Sequence, residues 1–340
     1  MTTPKPTPQF FNEDCIAGCR KRIGDDTVDL IVTDPPYGID GGNLHKHYNR
    51  NEDFVLDGYV EVPAAEYAAF SRDWIAEAAR ILRPGGSLYI VSGYTHLCDI
   101  LNALRETKLK EVNHLIWKYN FGVWTQKKYI SSHYHLLYYV KPGGPVTFNA
   151  FDRFGATEKG ADATGSLNYQ DREDVWVINR EYQPGKTKNK NQLPTQLLTK
   201  IIQYSSNEGD LVADLFLGSF STAKVAIGLN RRAMGFEKSK VAFTHQKRTM
   251  KKVQPGELLA GLRAPEASHL TNQRKAWTAT EKAKVIRRFK KLTKQGLKKK
   301  EALDTLSSEF GRGTWSLLKI VGVKSRRITT DKNIPLAGIA

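Results

Sequence analysis

The sequence predicts an α/β protein: a large domain built on a mostly parallel sheet, followed by a small all-helical module. Three observations predict this arrangement. Short apolar runs rich in β-branched residues alternate with helical apolar spacing over residues 28–253. A linker-like stretch follows Pro255, and a Lys/Arg-rich segment with its own helical spacing comes next. At 340 residues the chain is long enough to hold both parts.

Turn-forming residues bound the elements of the large domain. Residues 28–32 form a β-branched run closed by two prolines, which predicts a buried strand ending in a rigid turn. Apolar residues recur at helical spacing over 64–82, and Arg83-Pro84-Gly85-Gly86 is typical of a helix end. Further strands are predicted at 87–91, 114–117, 136–140, 211–216 and 233–237, and further helices at 95–107, 196–204, 223–230 and 241–253.

The same patterns predict the domain boundaries. The large domain covers residues 1–254, the linker 255–273 and the basic helical module 274–340. Periodicity fades within a segment at about 118–190, which we interpret as an inserted recognition or lid segment. The polar run at 38–59 predicts a long mobile loop, a length that is uncommon unless the loop is functional, for example as a lid.

The basic residues are concentrated at one end of the chain. The protein carries 52 Lys/Arg and 35 Asp/Glu, a net charge of +17. Residues 271–330 hold 17 Lys/Arg and 4 Asp/Glu, so this segment alone contributes +13. Such a module indicates a polyanionic partner, usually nucleic acid. A solubilising tail is the alternative, but the apolar period within the segment favours a folded module.

The remaining composition narrows the class of protein. Cys15, Cys19 and Cys98 form no C-x-x-C pair, so we expect neither disulfides nor a metal site. The N-terminal residues lack the apolar stretch of a secretory signal. No run of about 18 apolar residues predicts a membrane span. These features are typical of a cytoplasmic protein, which for a DNA-bound protein would mean association with the nucleoid.

The motif Asp34-Pro35-Pro36-Tyr37 follows the strand predicted at 28–32. At the carboxyl end of a strand in an α/β sheet, these groups face the crevice where such sheets bind ligands. The Asp carboxylate and the first proline carbonyl are two acceptors for the N–H bonds of an exocyclic amine. The Tyr ring can stack on the base that carries this amine. One tetrapeptide alone is suggestive rather than decisive.

A second motif predicts a nucleoside site. Residues 214–219 form a strand that runs into a small-residue loop opening a helix, where glycine lets a ligand approach the backbone. Glu237 ends the next strand, and an acid there can accept both hydroxyls of a ribose. The chain has no full G-x-G-x-x-G and no phosphate loop, so the pocket suits a nucleoside with an amino-acid tail. Without the motif at 34–37, an ordinary βα turn would explain these residues equally well.

Together these pieces resemble the β-group of S-adenosylmethionine-dependent amino-group DNA methyltransferases, in which the Asp-Pro-Pro-Tyr motif precedes the cofactor loop. The resemblance covers about residues 11–253, and several spaced motifs follow in one consistent order. It implies a Rossmann-like methyltransferase fold with a mixed, mostly parallel seven-stranded sheet. The matching segments are 12–15, 34–37, 79–88, 133–141, 192–198, 214–219 and 235–237.

The resemblance also implies roles for individual residues. Asp34, Pro35, Pro36 and Tyr37 would form the catalytic motif, with Asp34 also at the cofactor. Glu237 would hold the cofactor ribose. The methionine part would be surrounded by Asp214, Phe216, Gly218 and Ser219, with Pro194 packed near its tail, while Asp14 and the backbone of Cys15 would contact the adenine edge.

Two positions depart from the family pattern. The family loop usually continues Gly-Ser-Gly-Thr-Thr, whereas Phe220 replaces the second glycine here. A tighter loop or an altered cofactor affinity is the expected consequence. The family often has Lys before the proline, whereas this chain has Leu193 before Pro194.

The motif also constrains the reaction. An Asp-led motif resembles the adenine-N6 enzymes, and a Ser-led motif is more typical of the cytosine-N4 enzymes. Cytosine-C5 chemistry needs a thiolate, typically in a Pro-Cys pair, and no cysteine here follows a proline. We therefore predict transfer to the N6 amine of a flipped adenine in duplex DNA. Cytosine N4, an RNA substrate and a non-enzymatic DNA-binding protein on the same fold remain alternatives.

Two segments are predicted to contact DNA. Aromatic and basic residues interleave at 117–129, where Lys118, Trp124, Lys127 and Lys128 are candidates. Three helices at 278–292, 299–310 and 314–321, with a Gly turn at 311–313, resemble a helix-turn-helix. Its candidate DNA contacts are Arg287, Arg288, Lys298, Arg312 and Lys319. A homodimer and a cognate restriction endonuclease are the other partners that the resemblance makes plausible.

Overall fold

The structure is a computed structural model that divides the chain into two compact units, residues 1–265 and 266–340. The described residues are 8–38, 62–120, 122, 124, 126–156, 158–161, 165–181, 192–263, 272 and 275–322. The loop predicted as a lid at 38–59 lies outside the described residues except for Gly38. The same holds for parts of the predicted insertion and linker and for the C-terminal residues after 322.

One mixed sheet of eight strands forms the centre of the first unit. The strand order is β1-β8-β7-β2-β3-β5-β4-β6. Five of the seven strand pairings are parallel, and only β3–β5 and β5–β4 are antiparallel. The strands are β1 Gln9–Phe11, β2 Val28–Thr33, β3 Leu82–Ser92, β4 Lys110–Lys118, β5 His133–Val140, β6 Val175–Val177, β7 Leu211–Asp214 and β8 Arg232–Phe236.

Helices connect the strands of this sheet. The amphipathic α2 buries its apolar positions, with Trp74 and Ile75 fully enclosed. Short 3-10 turns lie at Ala64–Glu66 and Leu259–Gly261. The helices of the first unit are α1 Cys15–Arg22, α2 Tyr67–Ile81, α3 Leu97–Arg105, α4 Leu167–Asp171, α5 Thr195–Ser205, α6 Ser221–Gly228 and α7 Lys240–Met250.

The sheet confirms the predicted mixed, mostly parallel architecture but corrects its strand count from seven to eight. Both edge strands, β1 and β6, have only three residues and were not predicted. The predicted helix does end directly before Arg83–Gly86, but these residues form a bulge inside β3 and not a turn that precedes the strand. The pairing of β3 with β2 passes from Leu82 directly to Ser87 while β2 advances by two residues. Gly85 takes a φ of +78°, which favours glycine at this bulge.

The second unit contains three helices, α8 Ala279–Lys294, α9 Lys299–Phe310 and α10 Thr314–Val321. The Thr278 hydroxyl caps α8 by accepting the N–H of Glu281 at 3.1 Å. Gly311 ends α9 in the left-handed conformation, which produces the predicted turn before α10. The helices share a small apolar core of Val285, Leu292, Ala302, Leu303, Leu306 and Leu317. The predicted helical content of this segment is therefore confirmed.

Candidate active site

Three neighbouring parallel strands bring the sequence motifs together. β8, β7 and β2 lie side by side, so their carboxyl ends open on the same edge of the sheet. Asp34 follows β2, Asp214 ends β7 and Glu237 follows β8. Residues about 200 positions apart in the sequence thus line one crevice. Asp214 and Gly235 are register partners, and a Cβ at Gly235 would lie 2.3 Å from the Asp214 carbonyl oxygen, so only glycine fits there.

Asp214 ties two of these strand ends to each other. Its Oδ1 accepts the Thr33 hydroxyl at 2.9 Å and the Phe216 N–H at 3.0 Å. The carboxyl is almost fully buried, and this burial raises the pKa of Asp214 to about 6, while the hydrogen bonds from Thr222, Phe216 and Thr33 oppose the rise. Asp214 therefore fixes the floor of the crevice and the start of the loop after β7.

Asp34 lies on the other side of this floor. The Tyr37 hydroxyl donates to Asp34 Oδ1 at 2.6 Å, which folds the motif back on itself. Burial, with a smaller contribution from the negative charge of Asp214, raises the pKa of Asp34 to about 8. The Tyr37 hydrogen bond and the positive charge of Arg180 oppose this rise. Asp34 as a residue is half-buried, and its perturbed pKa in a crevice marks it as a candidate functional group.

The backbone of the motif is held from α2 and α3. The Tyr67 hydroxyl donates to the Pro36 carbonyl at 2.6 Å. The Tyr67 ring stacks on His96 with 4.0 Å between ring centroids, and His96 Nε2 lies 3.3 Å from the Gly38 carbonyl oxygen. Gly38 has a φ of +62°, and a Cβ there would collide with both rings. The motif is thus a rigid turn on a packed support.

An aromatic wall stands beside Asp34. The Tyr37 ring stacks on Tyr134, with 5.6 Å between centroids and 21° between planes. Tyr134 in turn contacts Trp117 and Tyr119 at 5.5 and 5.6 Å. The wall combines the Asp34 motif with side chains of β4 and β5, so the antiparallel half of the sheet also contributes to the site.

Glu237 faces the loop after β7. Its carboxylate accepts the Gly218 N–H at 2.9 Å and the Ser239 N–H at 2.7 Å. Burial raises the pKa of Glu237 above its usual value, partly offset by these two hydrogen bonds. The Asn12 amide donates to the Glu237 carbonyl at 2.7 Å, which connects the segment after β1 to this corner. The carboxylate retains acceptor capacity, because each of its oxygens has two lone pairs.

Asp14 caps α1 at the same corner. Its Oδ1 accepts the N–H groups of Ile16 and Ala17 at 2.9 and 3.3 Å, and its Oδ2 lies 3.8 Å from Lys238 Nζ. Cys15 begins α1 and buries its thiol, which raises its pKa, so only its backbone suits the predicted contact. The groups described at this corner are carboxylates and backbone amides, which fit a nucleoside with a charged tail.

Phe220 occupies the position where the family pattern has glycine. It takes a φ of +61°, the left-handed conformation that favours glycine. Its side chain is completely buried and packs against Phe10 and Phe243, with centroid distances of 5.0 and 5.9 Å. The phenylalanine therefore fills the core beneath α6, and the tighter loop or altered cofactor affinity expected from the sequence stays a prediction.

The remaining predicted cofactor residues are Phe216, Ser219 and Pro194. Phe216 and Ser219 lie in the loop after β7, with the Phe216 ring against Trp74 at 5.4 Å and the Ser219 hydroxyl 2.5 Å from that of Ser221. Pro194 is buried at the start of α5, where its carbonyl accepts the Leu198 N–H. Leu193, the departure from the family pattern, is a core residue.

The predicted DNA contacts are mostly exposed. In the first unit, Lys118 is exposed at the end of β4, Trp124 is 71% exposed, and Lys127 and Lys128 are exposed. In the second unit, Arg287, Lys298 and Lys319 are exposed, while Arg288 pairs with Glu309.

Arg312 was predicted to contact DNA, but its side chain is buried within the helical unit. It is only 4% exposed, and its guanidinium donates to both oxygens of Glu281, at 3.0 and 2.8 Å. It also donates to backbone carbonyls, including that of Asn272 at 2.6 Å, and lies over the Trp277 ring at 4.4 Å. The guanidinium is used inside the helical unit, so it holds this unit together rather than contacting DNA.

Several side chains of the site carried no functional signal in the sequence. Tyr67 is an apolar position of the helix predicted at 64–82, whereas Thr33 follows the strand predicted at 28–32 and Tyr134 precedes the strand predicted at 136–140. Arg180 lies in the segment where periodicity fades, and no local signal marks it. Within the described residues, no group of three or more His, Cys, Asp and Glu side chains could hold a metal ion. No helix in the described part of the chain is long and apolar enough to cross a membrane.

Curated proteins with related sequences are DNA methyltransferases. The Type II methyltransferase M.HpaI of Haemophilus parainfluenzae is 30% identical over 65% of this chain and 67% of its own length. M.BamHI of Bacillus amyloliquefaciens, also named a Type II methyltransferase, is 32% identical over 67% of this chain, which spans about half (54%) of that protein. The DNA adenine methyltransferase YhdJ of Escherichia coli K12 is 33% identical over 64% of this chain and 74% of its own length.

Solved structures share the fold. TTHA0409 of Thermus thermophilus, crystallised with S-adenosyl-L-methionine, matches 76% of this chain and 97% of its own with a TM-score of 0.53 and 21% identity. The cytosine-N4-specific PvuII DNA methyltransferase matches 77% and 95%, with a TM-score of 0.51 and 13% identity. These likenesses support a Rossmann-like methyltransferase fold. The family model described as DNA methylase, N6/N4 type, matches residues 28–248, and the chain therefore belongs to this family of DNA methylases.

Proposed function

We propose that this DNA methyltransferase transfers a methyl group to the N6 amine of adenine in double-stranded DNA. The observation that carries the proposal is the position of Asp34 and Tyr37. Their hydrogen-bonded pair lies at the end of β2, beside the crevice that Asp214 and Glu237 line. Methyl transfer to an aromatic amine needs a rigid hydrogen-bond acceptor next to the nucleoside pocket, and this pair provides one.

The cofactor is S-adenosyl-L-methionine. When bound, it supplies an electrophilic methyl group on a positively charged sulfur. We assign its ribose to Glu237 and its adenine edge to Asp14 and the Cys15 backbone. The methionine part is assigned to the loop after β7, which Asp214 anchors, with Phe216, Gly218 and Ser219 around it and Pro194 near its tail. The chemistry of this corner, carboxylates and backbone N–H groups, supports the assignment.

Asp34 and Pro35 act on the amine. The lone pair of an adenine amine is delocalised into the ring, which makes the amine a poor nucleophile. When the Asp34 carboxylate and the Pro35 carbonyl accept its two N–H bonds, the lone pair localises on nitrogen and is oriented for attack. As the new N–C bond formed, the bond between the methyl group and sulfur would break and leave a neutral thioether, and the amine nitrogen would then give one proton to the Asp34 carboxylate that accepts its N–H bond. The raised pKa of Asp34 suits this task.

The base must leave the duplex to reach Asp34. The N6 amine is inaccessible inside the base stack, so we propose that the target adenine is flipped out. Tyr37 then stacks on the base, and Tyr134, which stacks on the Tyr37 ring, extends the same aromatic wall. The exposed Trp124, with Lys118, Lys127 and Lys128, suits contacts to the DNA around the flipped base.

We assign DNA holding and site choice to the basic helical unit. Arg287, Lys298 and Lys319 are exposed there, and such side chains neutralise phosphates in a salt-dependent way. Deleting residues 266–340 is expected to weaken DNA binding and to flatten its dependence on salt. Unchanged affinity and site choice in the truncated protein would contradict this role.

Two observations favour adenine over cytosine. The motif is led by Asp, as in the adenine-N6 enzymes that it resembles, and the relative YhdJ is named a DNA adenine methyltransferase. The family also contains N4 enzymes, so cytosine N4 is the alternative product. The Type II names of two relatives favour a cognate restriction endonuclease as partner. A homodimer is a further proposal, which light scattering of the purified protein tests.

Nucleoside mass spectrometry tests the proposed reaction. The protein is incubated with labelled S-adenosylmethionine and either mixed-sequence duplex DNA or RNA, and the labelled nucleoside is identified. N6-methyladenine from DNA is the expected product. N4-methylcytosine or labelled RNA would replace the proposed substrate, and DNA binding without any transfer would contradict the proposed enzyme. Asp34→Ala is the inactive control, and Asp73→Ala, an exposed aspartate on α2, is the matched active one.

A further inference from the structure

Arg180 is a charged side chain that lies against the aromatic wall. Its segment continues β6, because the Ile178 N–H donates to the Lys118 carbonyl of β4 at 3.0 Å. The guanidinium carbon of Arg180 lies 4.5 Å from the ring centroid of Tyr119 and 5.3 Å from that of Tyr134. One terminal nitrogen donates to the Tyr134 hydroxyl at 2.9 Å. Stacking and this hydrogen bond fix the plane of the guanidinium.

The Nε–H of Arg180 has no acceptor. The atom is sealed from solvent, and none of the described residues accepts its hydrogen. Buried donors in folded proteins are nearly always paired, and an exception calls for an explanation, such as a catalytic role or an acceptor that binds there. The orphaned donor thus marks a place where a bound molecule can supply an acceptor.

Three successive contacts, through Tyr134 and Tyr37, connect Arg180 to Asp34. Tyr134, which accepts the Arg180 hydrogen bond, stacks on Tyr37, and Tyr37 donates to Asp34. The Arg180 charge also lowers the pKa of Asp34 against the stronger effect of burial. The proposed base pocket therefore has a carboxylate acceptor and a cationic donor in the same wall.

This pair of groups complements the edge of one kind of base. The six-membered ring of adenine presents an amine, which donates, next to N1, which accepts; cytosine presents its amine next to N3 in the same way. Guanine and thymine present a carbonyl oxygen next to a ring N–H, which is the opposite order. An acceptor beside a donor therefore complements the edge of adenine or cytosine, where the amine lies next to an unprotonated ring nitrogen, and not the edge where guanine or thymine presents a carbonyl next to a ring N–H.

We propose that Arg180 is a base-recognition residue, whose Nε–H donates to the ring nitrogen next to the amine of the flipped base. The inference rests on the proposed function, because it requires a flipped base at Asp34. For adenine the acceptor is N1. The hydrogen bond orients the amine toward Asp34 and Pro35 and rejects guanine and thymine, whose ring N–H would face the donor.

Single-turnover methylation of modified duplexes tests the proposal. The duplexes carry, at the methylated position found by mapping, adenine, 1-deazaadenine, which lacks N1, or 7-deazaadenine, which keeps it. The wild type is compared with Arg180→Met, which keeps the bulk of the side chain, and with Arg180→Lys, which keeps only its charge. Arg172→Met, at an exposed arginine of the same segment, is the matched control. S-adenosylmethionine affinity reports whether each variant is folded.

The wild type and Arg172→Met are expected to methylate 1-deazaadenine about tenfold to a hundredfold more slowly than adenine, the usual effect of losing a hydrogen bond to a charged donor. Arg180→Met and Arg180→Lys are expected to be slow on adenine and no slower on 1-deazaadenine. The proposal would be overturned if the wild type methylated 1-deazaadenine as fast as adenine. It would also be overturned if the Arg180 variants still methylated 1-deazaadenine more slowly than adenine by the wild-type factor. A wild type that methylates no adenine would instead refute the proposed function.

Discussion

Replacing Phe220 with glycine restores the residue that the family pattern has in the cofactor loop. Two effects oppose each other at this position. The left-handed backbone costs a phenylalanine about 1–2 kcal/mol relative to glycine, so the replacement relieves strain. The buried ring, packed between Phe10 and Phe243, stabilises the fold, so the replacement leaves a cavity.

The loss of the buried ring is expected to outweigh the relief of backbone strain. Removing a fully buried Phe side chain costs about 3–5 kcal/mol. After the relief of the backbone, Phe220→Gly is expected to lower the free energy of unfolding by about 1–4 kcal/mol. Phe220→Ala creates the same cavity and keeps most of the backbone strain, so it is expected to be about 1 kcal/mol less stable than the glycine variant.

Urea denaturation followed by tryptophan fluorescence measures both differences. Trp74 and Trp117 are buried in the same unit and report its unfolding. Cofactor affinity, measured by calorimetry, is expected to change much less than stability, because the ring points into the core. A glycine variant as stable as the wild type, or an alanine variant more stable than the glycine variant, would refute the argument.

Four further predictions concern the site. Asp34→Ala is expected to keep cofactor and DNA binding and to lose about a hundredfold or more in turnover, measured by single-turnover methylation, because the amine loses its charged acceptor; undiminished turnover would contradict the mechanism. Because burial raises the pKa of Asp34 to about 8, the folded state holds its proton more tightly than the unfolded state, so wild-type stability falls from pH 4 to pH 8 relative to Asp34→Asn. Parallel urea midpoints for the two proteins over this range would show that the carboxyl is not perturbed. Glu237→Gln is expected to weaken cofactor binding in calorimetry, since an amide oxygen is a poorer acceptor than the carboxylate that holds the Gly218 and Ser239 N–H groups; equal affinity would remove Glu237 from the cofactor site. Tyr67→Phe removes the hydrogen bond to the Pro36 carbonyl and is expected to lower kcat with little change in cofactor affinity, whereas Tyr94→Phe, at an exposed tyrosine, is the control and leaves both unchanged.

The central strands were predictable because each carries a continuous apolar run bounded by turn residues. β2 and β7 bring Asp34 and Asp214 to one edge, a result that the rule for parallel sheets predicts from the sequence. The edge strands β1 and β6 were not predictable, because three residues are too few to show a period. The bulge at Arg83–Gly86 has the composition of a helix end, and only its pairing with β2 shows that the strand continues through it.

Tertiary contacts determine the roles of the two arginines whose function could not be predicted from the sequence. Arg180 acquires its significance from Tyr119 and Tyr134, which lie about 50–60 positions away in the sequence. Arg312 belongs to a basic segment, so its charge favoured a DNA contact, but Glu281 and the carbonyls around it bury the guanidinium. Charge in the sequence shows which unit attracts a polyanion, and it does not show which cations remain at the surface.

The electrostatics of the crevice favour a cationic methyl donor. Burial raises the pKa values of Asp34, Asp214 and Glu237 together, so ionising all three in the empty crevice is costly. A positively charged sulfonium in the crevice offsets that cost, and it favours the ionised Asp34 that the amine requires. The product, a neutral thioether, offers no such compensation. Under the proposed function, the three carboxyls therefore favour binding of the positively charged methyl donor over binding of the neutral product. This difference in binding supports turnover.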